Sequence, residues 1–157
     1  MRSAIRLFSA ILLLGAAAPP AAAAPPGALC TLVSRSFADV LTGPITAKPV
    51  GLRTCMASVG TFADMSIGID VSINSGDAAT LKTMRGLLHT RWTDEPALGD
   101  GAYSILDAGG GGMLPQFTIN ASKAGKWAII EVRRRAGFSP ADLAKLRGGA
   151  KRLLAGL

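Results

Sequence analysis

The chain has 157 residues, with 17 Lys or Arg against 10 Asp or Glu, one His, two Cys and a formal net charge of +7. That length gives one domain with room for a real core. It leaves no ligand set for a zinc centre once the cysteines are paired, and no cofactor is expected.

Arg2 and Arg6 flank the start of an apolar run, Leu7–Ala18, which a Pro/Ala stretch, Pro19–Pro26, follows. A charged start, a short apolar centre and small residues before a cut are the layout of a secretory signal peptide. The run holds 12 residues, short of the ~20 that span a bilayer as a helix, so no transmembrane anchor is expected after processing. Ala21 and Ala23 supply the small side chains three and one residues before a cut ahead of Ala24. The expected division is a signal peptide over 1–23 and a single exported domain, periplasmic or secreted, over 24–157. Cys30 follows Gly27-Ala28-Leu29, which places the bulky residue beside the cysteine, the reverse of a lipobox.

Without Arg2 and Arg6 the domain keeps 15 basic residues against 10 acidic ones, about +5. From Lys123 onward nine basic residues face two acidic ones, so the C-terminal end is basic. Two cysteines in an exported chain usually pair. A Cys30–Cys55 bond closes a 26-residue loop, worth roughly 3–4 kcal/mol by the chain-entropy relation. The spacing is far from the C-x-x-C of redox pairs and points to a structural staple.

In chain order, Ser34 is the expected cap of a short helix running through Val40 and Leu41 to Gly43-Pro44. Ile45–Val50 and Thr54–Val59 read as strands. From Met65 to Asn74, Met65, Ile67, Ile69, Val71 and Ile73 alternate strictly with polar or small residues, a strand with one face buried. Ser75-Gly76-Asp77 opens a helix whose Ala78, Leu81, Met84, Leu87 and Leu88 share one face. Strands are expected over Ala102–Leu106, Met113–Ile119 and Trp127–Arg133, with Gly109–Gly112 as a hairpin loop and Ala121–Lys126 as a turn. Pro115 inside the second of these suggests an edge strand. Ser139, Pro140 and Asp142 start the last helix as N-cap, first residue and capping-box partner. Leu143, Leu146, Ala150, Leu153 and Leu157 form its apolar stripe. The order α-βββ-α-βββ-α with hairpin-length links predicts an α+β domain, an antiparallel sheet of five to six strands with helices packed on it.

These features are spaced as in a widespread family of small exported bacterial domains of unknown function, many of them lipoproteins in actinobacteria, which the chain resembles over nearly all of residues 24–157. The resemblance runs through Cys30-Thr31-Leu32, Leu41-Thr42-Gly43-Pro44, Cys55, the alternating strand, Leu98-Gly99-Asp100-Gly101-Ala102-Tyr103 and the terminal Ala/Leu/Lys helix. It implies a fold similar to the PsbP-type α/β sandwich and brings no catalytic residues. The chain departs from the family in lacking the lipobox.

His89 falls near the end of the second expected helix, with no motif to make it a general base, and reads as a cap for helix carbonyls. Gly99–Tyr103 reads either as a binding loop, in which Asp100 offers a carboxylate and Tyr103 an aromatic face, or as a tight turn entering a strand. Arg133, Arg134 and Arg135 with the basic helix form either a contact for anionic material or a solvated face. Export and the scarcity of stacking aromatics argue against nucleic acid. Trp92 is either a contact residue or a cover for the helix end. The expectation is a monomeric, non-enzymatic exported domain that binds a protein partner or an anionic envelope component, through Asp100, Tyr103 and Arg133–Arg135. The alternatives are a structural or inhibitory module for another exported protein, and an enzyme using Asp100, Tyr103 and His89.

Overall fold

The computed structural model describes residues 27–60 and 66–157. The expected signal peptide and Met65 lie outside them. Three helices, α1 (Ala28–Ser36), α2 (Ala78–Gly86) and α3 (Pro140–Ala155), pack on one antiparallel sheet. Its strands are β1 (Ile45–Pro49), β2 (Thr54–Val59), β3 (Ile67–Ser75), β4 (Thr93–Asp94), β5 (Tyr103–Asp107), β6 (Gln116–Lys123) and β7 (Lys126–Arg134). The spatial order is β1-β2-β3-β7-β6-β5-β4. The class is α+β as expected, but the sheet has seven strands rather than five to six. The extra one is the two-residue β4, too short to leave a periodic signal.

Alternation divides the sheet into two unlike faces. Ala57 and Val59 of β2, Ile69 and Val71 of β3, Ile130 and Val132 of β7, and Phe117 and Ile119 of β6 are buried on one of them. They join Val33 of α1 and Leu146, Ala150 and Leu153 of α3 in one core cluster. The Cys30–Cys55 disulfide, with Cα atoms 5.2 Å apart, pins α1 to β2 within it. Helices α1 and α3 pack closely because Gly149 lacks a side chain: a Cβ there would lie 2.4 Å from Phe37 Cδ1. Arg152 strengthens the contact, donating to the Ser36 carbonyl at 2.9 Å and pairing with Asp39 at 2.6 Å.

Several expected boundaries move. Helix α1 begins after Gly27, at φ 95°, and ends at Ser36, so Ser34 lies inside it and caps nothing. Helix α2 ends at Gly86, where the amides of Leu87 and Leu88 bond to the carbonyls of Met84 and Arg85. Backbone donors thus do what was expected of His89, which is exposed three residues beyond. Of the apolar set expected on α2 only Leu81 is buried within the helix, and Leu87 is 68% exposed. Pro115 precedes β6, which is an inner strand between β5 and β7, so its ring removes no ladder donor. The turn after β6 is only Ala124-Gly125, at φ 50° and 73°, a left-handed pair of the type that closes two-residue hairpins. The start of α3 is as expected: Ser139 and Asp142 exchange side-chain and backbone bonds in a capping box with Pro140 in the first turn.

The β1 edge is blunted by its sequence. Val50 donates to the Thr54 carbonyl, which by alternation points the backbone of Ile45, Ala47 and Pro49 away from β2. Pro49 therefore puts a ring where an edge donor would otherwise invite another strand, and Lys48 adds charge.

Candidate functional site

The second face of the sheet is covered only at one end. Tyr103 and Asn120, directly opposite each other in β5 and β6, are buried there, and α2 packs against β6. Asn120 accepts from Trp127 Nε1 at 3.2 Å. Beyond this patch, from β1 to β5, the face is open.

Its centre is a polar ridge. Asp70 of β3 and Glu131 of β7 stand directly opposite one another, an arrangement that repels unless a cation intervenes. Arg133, two residues along β7, supplies it, donating to Asp70 at 2.7 Å and Glu131 at 2.8 Å. Its Nε donates to Gln116 Oε1 at 3.2 Å, and Gln116 Nε2 donates to Thr118 at 3.0 Å. Gly68 lies opposite Arg133 and leaves room for the guanidinium. All three guanidinium nitrogens are thus engaged in a fixed fork.

A hollow flanks each side of this ridge. One, of about 490 Å³, is lined by Lys48, Met56, Ser58, Gly68, Asp70 and Arg133, with Met56 45% exposed. The other, of about 570 Å³, is lined by Thr90, Ile105, Asp107, Gln116, Thr118 and Glu131. The surface offers a methionine, an isoleucine, hydroxyls and a preformed charge network.

The residues singled out from the sequence are dispersed. Asp100 is exposed and paired with Lys82 of α2 at 2.9 Å; that hydrogen bond and the lysine's charge hold its carboxyl below the usual range. Tyr103 is 3% exposed, and burial pushes its hydroxyl upward against the opposing charge of Arg85. The hollow beside Asp100 is lined by Lys82, Arg85, Asp94 and Gly101, and holds neither Tyr103 nor His89. A Cβ at Gly101 would lie 2.9 Å from the Ala78 carbonyl, so the glycine lets this turn sit against α2. Trp92 lies under the Arg85 guanidinium at 4.4 Å, and Arg85 also pairs with Asp94, so the indole covers the end of α2.

The three consecutive arginines do not form one patch. Arg133 belongs to the open face, Arg134 pairs with Asp142 at the start of α3 at 2.5 Å, and Arg135 is exposed past the end of β7. Arg147 reaches the buried Glu95 at 2.7 Å, where Ser104 donates to the same carboxylate at 2.6 Å. Arg133, Arg134, Arg147 and Arg152 all meet carboxylates, so much of the basic end is matched within the fold. Among the described residues no group of three or more His, Cys, Asp or Glu could hold a metal ion, and no helix is long and apolar enough to cross a membrane.

Asp70, Glu131, Gln116 and Thr118 were not singled out from the sequence. Each sits at a wet position of an alternating strand, the one local signal, but Arg133 reaches Asp70 across 63 residues of chain, a pairing only the sheet order reveals. Compared with protein-family models, curated proteins and solved structures, the chain matches none.

Proposed function

We propose that this chain is an exported, disulfide-stapled domain that acts by binding, with a protein partner seated on the open face of its sheet. The observation that carries the reading is the Asp70–Arg133–Glu131 ridge between two hollows. Its polar groups are already oriented, so little ordering is needed on contact. Met56 and Arg133 are residue types enriched at protein interfaces. An anionic surface is less favoured, because Arg133, the cation at the centre of this face, is matched by carboxylates in place. Export is supported by the charged and apolar leader and by the Cys30–Cys55 bond.

Two measurements test this. The protein recovered outside the cytoplasm is expected to lack residues 1–23, to weigh two hydrogens less than its reduced form, and to take up no thiol reagent until reduced. Full-length protein with both thiols free would contradict export. For the surface, retention of the domain by envelope proteins is expected to fall at least about tenfold in Met56→Arg and Thr118→Arg, the cost of a clash at an interface core. It is expected to persist in Lys145→Ser and Lys151→Ser on the helical side. The opposite pattern would place the contact on the helices.

A further inference from the structure

We infer that the groove at the end of the helix–sheet sandwich, where α1 begins and α3 finishes, binds a single-chain anionic amphiphile, a long-chain carboxylate. The main core is not closed there. Leu29 and Leu32 of α1, Ile73 of β3 and Leu157 are partly buried, extend from the core cluster and line an opening of about 500 Å³, within the range of small-molecule sites. Leu52, at the tip of the β1–β2 hairpin, forms its lip and is 94% exposed, the most exposed large apolar side chain among the described residues.

Charge sets the class of ligand. No Asp or Glu side chain lines the groove, whereas Arg53 and Lys126 both do. None of the seven ion pairs among the described residues uses Arg53. Lys126 is engaged by a main-chain oxygen of Leu157 at 2.6 Å, so Arg53 is the cation left for a ligand. An apolar trough lined by an uncommitted arginine matches an acyl chain ending in an anion.

The walls are fixed rather than collapsible. The disulfide holds α1 on β2. A Cβ at Gly156 would lie 2.6 Å from Leu32 Cδ1, so α3 ends in close contact with α1. The Arg53 carbonyl accepts from the Ile73 amide at 2.8 Å, tying the hairpin to β3. Ile73 pairs with Ala128 on the helix-covered face, so this site lies across the sheet from the proposed partner surface, and either reading stands without the other.

The test is titration of the exported, oxidised protein with palmitate below its aggregation range, read by calorimetry and native mass spectrometry. One palmitate per chain is expected. Leu52→Ser and Arg53→Ser, both exposed and expected to leave melting unchanged, should each weaken binding about tenfold. Methyl palmitate, which lacks the charge, should also bind about tenfold more weakly. Absence of binding to the folded protein, or binding indifferent to both substitutions, would overturn the inference. Equal affinity for the methyl ester would overturn the anionic ligand. A Leu52-dependent dimer that takes up no palmitate would make the groove a contact between copies and overturn it as well.

Discussion

The two faces of one sheet are stabilised by different physics. On the helix-covered face, strands β2, β3, β6 and β7 present an apolar centre, with Lys126 and Arg134 only at the two ends of β7, and α1 and α3 are held there by packing, a disulfide and the Glu95–Arg147 pair. On the open face the same strands present hydroxyls, carboxylates and an arginine, joined to one another rather than covered. The covered face carries stability, because removing apolar area from water is the dominant favourable term. The open face carries little of it, and so is available for contact.

Substitutions should separate the two faces by size of effect. Replacing both Cys30 and Cys55 with Ser should cost about 3–4 kcal/mol in urea unfolding, from loss of the cross-link. A cost near zero would mean that packing alone places α1. Glu95→Ala should cost about 3 kcal/mol, toward the low side for a buried pair because Arg147 still reaches water. Arg133→Ala should cost only about 1 kcal/mol, the scale of a half-exposed network. Adding Asp70→Asn should restore most of it, since the repulsion with Glu131 disappears. If Arg133→Ala cost as much as Glu95→Ala, the contrast between the faces would be lost. Ala124→Asn should raise stability by about 0.5–1 kcal/mol, since asparagine tolerates the left-handed φ of that turn better than alanine.

Acid sharpens the same contrast at the start of α3. Bonds from Ser139, and then Arg134, hold the Asp142 carboxyl down at about 2, against an ordinary 3.8. A lowered folded-state value means that its contribution is full above about 4 and is lost as pH falls toward 2. Asp142→Asn should flatten that part of the stability–pH curve. An unchanged curve would show that ionisation of Asp142 adds nothing to the fold.

The covered face was largely legible in the sequence. Strand β3 declares itself through period-two alternation, and α3 through Ser139, Pro140 and Asp142. The disulfide followed from the cysteine count and the expected compartment. The boundaries that moved depend on backbone bonding without a strong side-chain signal: the end of α2 at Gly86, the two-residue β4 and the tight Ala124-Gly125 turn. Pro115 misled because proline marks a break in pairing without saying whether it lies in a strand or just ahead of one. The open-face ridge was illegible for a different reason. Asp70 and Glu131 are unremarkable wet positions until β3 and β7 are known to be neighbours, and that adjacency spans nearly half the domain. The basic end misled similarly, since its arginines find carboxylates contributed by distant segments.

The most direct test of the account is site-specific photo-crosslinking in the cell that makes the protein, with the reactive side chain placed at Met56 or Thr118 on the open face and, separately, at Lys145 or Lys151 on α3. The account expects one and the same protein adduct from both open-face positions and none from the two helical ones. An adduct formed equally from α3, or from α3 alone, would contradict it.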